Sequence, residues 1–220
     1  MKPIIALNLK TYSRATGDMA REFYEAINEV EMMHEVRVIA APQAVDIRIA
    51  SSKCQDVFAQ HCDATEQGAF TGAITPEALK DAGCKGSLLN HSEKRIGLEA
   101  IAKTILRLSS VGLEQLVCAK DAEESRAIAM LHPTFIAVEP PELIGSGISV
   151  SKAKPEVVTD TVKAVQTVSD VPVLCGAGVS TPEDVKKAMA LGVCGVLLAS
   201  AFTKAPDPKE LLLKMAEAMK

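Results

Sequence analysis

The chain has 220 residues, 48% of them hydrophobic and 24% charged, with a formal net charge of -4. That balance lies outside the sparsely hydrophobic, highly charged range of disordered chains, and the scattered basic residues form no block suited to nucleic acid. Its longest apolar stretches, such as Val193 to Phe202, fall short of the roughly 20 residues that span a bilayer.

The opening Met1-Lys2-Pro3-Ile4-Ile5-Ala6-Leu7-Asn8 meets a polar residue too early for a secretory signal. A cytoplasmic protein with neither membrane nor nucleic-acid partners is expected. Six cysteines (Cys54, Cys62, Cys84, Cys118, Cys175 and Cys194) lie apart with no C-x-x-C pair, so their spacing gives no zinc or redox motif. Several sit in apolar runs, where a reduced thiol behaves as a small hydrophobe. Asn90-His91-Ser92 matches a glycosylation sequon, but without a secretion signal these residues are better explained as chemistry.

Along the chain, short β-branched or leucine-rich runs alternate with longer helical patterns, which predicts parallel strands joined by helical crossovers. The runs place strands at Pro3 to Leu9, Val36 to Ala41, Asp56 to Gln60, Gly86 to Asn90, Glu114 to Ala119, Thr134 to Val138, Val171 to Gly176 and Cys194 to Leu198. Thr75-Pro76-Glu77 and Thr181-Pro182-Glu183 each put an N-cap hydroxyl before a proline at the first helical position. Gly83 and Gly192 stop those two helices. Eight such units in one modest chain predict an α/β protein, a single-domain (β/α)8 barrel over residues 1–220. An open doubly wound sheet is the alternative, because periodicity alone does not show closure.

A barrel carries its active site on the loops that follow the carboxyl ends of its strands. The polar residues there are Asn8 and Lys10 after strand 1, Gln60 and His61 after strand 3, Asn90 and His91 after strand 4, and Glu139 after strand 6. Gly176-Ala177-Gly178 and Ala199-Ser200 follow strands 7 and 8, where many barrels hold phosphate.

Asn8 and Lys10, two residues apart, can project to the same side and set a fixed positive charge at the barrel mouth. His91 precedes Ser92-Glu93-Lys94-Arg95, predicted as the first turn of a helix. The positive end of a helix disfavours imidazolium, and a neutral ring can donate to a substrate carbonyl. His61 is its rival, whereas His34 and His132 lie near the strand-entry ends. Glu139 is followed by Pro140-Pro141, which hold it extended and stiffen the start of the loop Glu142-Leu143-Ile144-Gly145-Ser146-Gly147. A stiff base, an apolar middle and a glycine-rich far end suit a lid that presents N–H groups to an anion. Alone, each residue has a bland reading: a solvated lysine, a strand-capping histidine, a carboxylate on a surface loop. Their company is what points to chemistry.

Asn8-Leu9-Lys10, Gly68-Ala69-Phe70-Thr71-Gly72, Asn90-His91-Ser92-Glu93-Lys94-Arg95, Val138-Glu139-Pro140 and Ile144-Gly145-Ser146-Gly147 occur in that order. They resemble motifs of the triosephosphate isomerase family: the first-strand N-x-K, the third-loop signature, the histidine motif, the base motif and the lid tip. The resemblance covers nearly the whole chain, and the shortened helices resemble the family's compact archaeal branch. It implies interconversion of dihydroxyacetone phosphate and D-glyceraldehyde 3-phosphate through an enediolate, in glycolysis and gluconeogenesis, with no metal or organic cofactor. Glu139 would remove the proton from carbon, His91 would polarise the carbonyl and move protons between oxygens, and Lys10 with Asn8 would stabilise the enediolate. Substrate contacts are implied at Asn8, Leu9, Lys10, Ile144, Gly145, Gly178, Ala199 and Ser200, with the backbone amides of Gly145, Gly178, Ala199 and Ser200 on the phosphate. Glu93, Thr71 and Leu197 are implied in support, Leu197 covering Glu139 together with Ile144 on closure. A homodimer or homotetramer is implied, with Thr71 reaching toward a neighbouring subunit's Lys10.

Three departures qualify that likeness. Gly178 stands where many relatives have a serine, Ala199-Ser200 replaces a more common glycine pair, and Ala73 and Lys94 stand where many relatives carry a glutamate and an arginine that help to join subunits. The catalytic expectation survives these changes, whereas the oligomer expectation is weakened. Two other readings stay open at this level: a different phosphate-binding barrel, such as a sugar-phosphate isomerase of amino-acid biosynthesis, and a catalytically silent phosphometabolite binder.

Overall fold

A computed structural model describes residues 1–140 and 154–220. Its strands are β1 (Ile4–Asn8), β2 (Arg37–Ala41), β3 (Asp56–Ala59), β4 (Gly86–Leu89), β5 (Glu114–Ala119), β6 (Phe135–Val138), β7 (Val173–Cys175) and β8 (Gly195–Leu198). Neighbours pair in parallel and in sequence order, and β8 returns to β1, with Ile4 opposite Gly195 and Leu7 opposite Leu198. The sheet is therefore a closed barrel, and the open-sheet alternative falls. Each expected strand is present, within two residues at either end.

The helices are α1 (Arg21–Met33), α2 (Ile47–Ser51), α3 (Pro76–Asp81), α4 (Leu98–Ser110), α5 (Ala122–Ala129), α6 (Pro155–Gln166), α7 (Pro182–Ala190), α8 (Ser200–Thr203) and α9 (Pro208–Glu217). Two of the crossover helices are as short as the sequence suggests: α2 has 5 residues and α3 has 6. The predicted caps form. Thr75 Oγ1 accepts from the Ala78 amide at 3.3 Å, and Thr181 and Asp184 make a reciprocal capping box at the start of α7. Among the described residues, no helix is long and apolar enough to cross a membrane.

Strand alternation divides the core in two. Ile4 and Ala6 on β1 pack with Ile39, Phe58, Leu88, Leu116, Ala137, Leu174 and Leu197 inside the barrel. Ile5 and Leu7 face outward into the larger layer between strands and helices. At the strand-entry end, the Arg37 guanidinium lies over the rings of Phe58 and Phe135 at 5.8 and 5.7 Å and pairs with Asp56 at 2.6 Å. A satisfied charge and two aromatic rings thus close that end, and the opposite mouth carries the site.

Candidate active site

The same alternation sets five inward residues at the carboxyl ends of the strands. Asn8, Gln60, Cys118, Glu139 and Gly176 each lie two positions beyond an interior residue: Ala6, Phe58, Leu116, Ala137 and Leu174. Lys10 arrives differently, with a left-handed backbone at φ 47°. A non-glycine residue held there costs about 1–3 kcal/mol, and two hydrogen bonds brace it. Its amide donates to Asn8 Oδ1 at 3.0 Å, and its carbonyl accepts from Gln60 Nε2 at 2.9 Å. Its Nζ pairs with Glu93 Oε1 at 2.8 Å, a carboxylate 60% exposed on its side chain. Water screens such a half-exposed pair strongly, so Lys10 can exchange this partner for an incoming anion.

His91 also depends on a left-handed residue. Strand β4 stops at Leu89 and Asn90 turns the chain at φ 57°, a conformation asparagine tolerates better than most residues. The buried Asn90 side chain donates to the Cys118 carbonyl at 2.9 Å and accepts from the Ile96 amide at 3.0 Å. This turn interrupts the alternation and delivers His91, itself buried, to the mouth.

Ser92-Glu93-Lys94-Arg95 is not the first turn of a helix; it is a lone turn closed by the Lys94 amide on the His91 carbonyl at 2.7 Å, and α4 starts only at Leu98. Asn90 captures the Ile96 amide and Gly97 takes φ 41°, so the backbone is committed to turns before a helix can begin. In place of a helix end, His91 meets one amide: Glu93 N–H donates to Nδ1 at 3.2 Å. An accepting Nδ1 leaves the proton of a neutral ring on Nε2, and Nε2 lies 3.4 Å from Glu139 Oε1.

Glu139 is 2% exposed, and its amide donates to the Ala119 carbonyl at 2.7 Å. Among the described residues its Oε2 has no hydrogen-bond partner. Gly176 packs against it so closely that a Cβ there would lie 2.6 Å from Glu139 Cγ. Burial first, and then the charge and hydrogen bonding of Glu139, hold the Cys118 thiol well above its ordinary range, so it stays protonated beside the carboxylate.

Asn8, Lys10, His91, Glu139 and Gly176 border one cavity of about 230 Å³. Asn8, Lys10, His91 and Glu139 contribute to its polar lining, while Gly176, Gly178, Val179, Ser180, Leu197, Ala199 and Ser200 contribute backbone and smaller side chains. Gly178 has φ 69°, which a side chain would strain. Ser200 opens α8, whose first amides have no acceptor within the helix.

A buried acid beside an imidazole donor, a nearby cation and open amides form a set suited to a phosphorylated carbonyl compound. A family model described as triosephosphate isomerase matches residues 3–219. The chain is 50% identical over 220 residues to the triosephosphate isomerase of Methanothermus fervidus, covering 99% of each chain. It is 47% identical over 214 residues to that of Methanocaldococcus jannaschii, covering 96% of this chain and 98% of the other. It is 44% identical over 212 residues to that of Metallosphaera sedula, with 96% and 93% covered. The chain belongs to the triosephosphate isomerase family. Its reaction is the interconversion of dihydroxyacetone phosphate and D-glyceraldehyde 3-phosphate, an intramolecular aldose–ketose isomerisation of a small phosphorylated substrate, and its relatives are of the archaeal type.

Among the residues that the triosephosphate isomerase resemblance marked, most converge on the cavity and several do not. Leu9 does not: it is fully buried, faces the helices with Ile5 and Leu7, and gives its amide to the Ala41 carbonyl at 3.0 Å. One residue past β1, it keeps the parity of Ile5 and Leu7, which turns its side chain away from the mouth. Glu93 lines a neighbouring cavity of about 530 Å³ that also touches Lys10 and His91. His61 lines that neighbour and not the first cavity; its Nε2 lies 3.1 Å from Asp63 Oδ1. Thr71 is exposed and borders neither cavity. Ile144 and Gly145 lie outside the described residues. Tyr12 and Lys204 line the cavity without having been marked, with Lys204 Nζ 5.3 Å above the Tyr12 ring; only their places shortly after strands 1 and 8 hinted at it. No three His, Cys, Asp or Glu side chains gather as a metal site among the described residues.

Proposed function

We propose that Glu139 is the general base of this triose phosphate isomerisation, that His91 is its electrophile, and that Lys10 and Asn8 stabilise the enediolate. The observation that carries the assignment is the 3.4 Å approach of His91 Nε2 to Glu139 Oε1 inside a cavity that Lys10 also lines. Glu139 takes a proton from the substrate carbon next to the carbonyl, and the C–H electron pair becomes the C=C bond of the enediolate. Nε2–H donates to the carbonyl oxygen as negative charge builds there, and the same ring moves a proton between the two oxygens. Glu139 then returns its proton to the neighbouring carbon. The Lys10 ammonium neutralises charge on the intermediate, and Asn8 braces that lysine through its 3.0 Å hydrogen bond.

The amides of Gly178, Ala199 and Ser200 hold the phosphate in this reading. Support comes from their shared cavity and from the first turn of α8. Glu93 supports by orienting His91, and Leu197, 2% exposed, keeps water from Glu139. Ile144 and Gly145 keep their sequence-based assignment to the lid over the phosphate and base. Leu9 receives no contact in this scheme.

We further propose an assembly and a cellular setting for the enzyme. The chain acts as one catalytic domain over residues 1–220, in the cytoplasm, in glycolysis and gluconeogenesis. It forms a homodimer or homotetramer in which Thr71 of one copy approaches Lys10 of another; the exposed run 66–72, with Phe70 51% exposed, supports this. Size-exclusion chromatography with light scattering tests it, and a monomer at assay concentration contradicts it. The catalytic assignment is tested by a coupled assay on Glu139→Asp: kcat should fall on the order of 10²–10⁴-fold while KM stays near wild type. Unchanged kcat overturns it.

A further inference from the structure

We propose that Asp184 is the positioning residue of the phosphate-binding loop, fixing which amides of the β7–α7 connection remain for the substrate. The inference rests on the reading that the phosphate binds at Gly178, Ala199 and Ser200.

Asp184 sits in the first turn of α7 and is 1% exposed. Its Oδ2 accepts from the Thr181 amide at 2.9 Å, the Ser180 amide at 3.1 Å and the Ser180 hydroxyl at 3.2 Å. Capping the helix accounts for the Thr181 bond alone. Both bonds to Ser180 reach past the cap into the loop, and Ser180 lines the catalytic cavity along with Gly178 and Val179. A carboxylate at a helix N-terminus is favoured there, and hydrogen bonds to an ionised acceptor are about twice as strong as neutral ones.

This arrangement sorts the loop's donors. The amides of Ser180 and Thr181 and the Ser180 hydroxyl are committed to Asp184, whereas among the described residues the Gly178 and Val179 amides have no hydrogen-bond partner. Gly178 offers the phosphate no side chain, so the loop's contribution is backbone alone and depends on how accurately that backbone is held. Two devices hold it: the left-handed φ of 69° at Gly178, and the anchor two residues on at Ser180.

The test compares Asp184→Ala and Asp184→Asn with wild type, using D-glyceraldehyde 3-phosphate, unphosphorylated D-glyceraldehyde and inorganic phosphate as a competitive inhibitor. Asp184→Ala should raise KM for the phosphorylated substrate and Ki for inorganic phosphate by a common factor of about tenfold, the scale of one lost hydrogen bond. Its kcat/KM on D-glyceraldehyde should stay within about twofold of wild type. Asp184→Asn keeps an acceptor but not the charge, and should raise both constants by a smaller common factor, about threefold; it carries the test if the alanine variant fails to fold. Equal loss on phosphorylated and unphosphorylated substrates overturns the proposal, as does an unchanged Ki in the folded variants. A wild-type enzyme that inorganic phosphate does not inhibit sinks the underlying phosphate assignment instead.

Discussion

Nε2 of His91 and Oε1 of Glu139 stand 3.4 Å apart, and their backbones reach that approach by different routes. Glu139 continues the inward series of β6 after Phe135 and Ala137, whereas His91 reaches the mouth only because Asn90 turns left-handed. The Glu93 amide on Nδ1 then points the protonated nitrogen of the ring at the carboxylate. A substrate carbon and its carbonyl oxygen can thus be served by two groups side by side.

Gly176 sets the place of the base. A Cβ at this position would lie 2.6 Å from Glu139 Cγ and 3.0 Å from the Val138 carbonyl oxygen, so one of them must move. Gly176→Ala should therefore lower kcat on the order of 10²-fold, the scale of a misplacement near 1 Å. The circular dichroism spectrum should remain that of wild type. Wild-type kcat in the alanine variant contradicts the close packing.

Asn90 combines a φ of 57° with two buried side-chain hydrogen bonds, to the Cys118 carbonyl and the Ile96 amide. Asn90→Ala loses both and keeps the strain, so chemical denaturation should show a loss of about 2–4 kcal/mol. Turnover should fall as well, because the turn aims His91. An alanine variant as active and as stable as wild type would count against this role.

His61 carries a pH signature. Burial, with help from the Lys94 charge, pushes it below its ordinary 6.5 against the pull of Asp63. The unfolded chain then takes up a proton that the native one resists. This contribution to stability is present above about pH 6.5 and is lost as the pH falls toward the lower native value. Urea midpoints at about pH 7.5 and about pH 5.5 should separate in wild type and draw closer in His61→Gln. The same separation in both proteins would contradict it.

The cysteines should be quiet in the native state. Burial is the first cause that pushes Cys54, Cys62, Cys84 and Cys175 to about 12, and Cys194 to about 11. A reagent that attacks thiolates should label little of the native protein near neutral pH and all six cysteines in urea. Fast labelling of the folded chain would contradict this burial.

These particulars also mark what could be learned before folding the chain in space. Eight strand and helix units made an α/β barrel legible without showing closure, and the places of Asn8 and Glu139 at strand ends were legible because a strand end is a local property. Parity along β1 puts the Leu9 side chain with Ile5 and Leu7 on the helix side of the barrel. Left-handed Asn90 and Lys10 were not legible, since contacts distant in sequence, Asn90 with Cys118 and Gln60 with Lys10, join the local ones in keeping such backbones in place. Ser92-Glu93-Lys94-Arg95 misled for a related reason. Its composition suits a helix start, but Asn90 takes the Ile96 amide and α4 is delayed to Leu98. Gly176 gave only a phosphate-loop signal; its close approach to Glu139 follows from the pairing of β6 with β7.

The most direct measurement is a coupled triose phosphate isomerisation assay on purified wild type and Glu139→Gln, with folding of both checked by circular dichroism. Replacing the carboxylate by an amide keeps the side chain's size and removes its ability to take a proton. Glu139→Gln should lose on the order of 10²–10⁴-fold in kcat or more while retaining the wild-type fold. Full activity in that variant would contradict the assignment of Glu139 as the base.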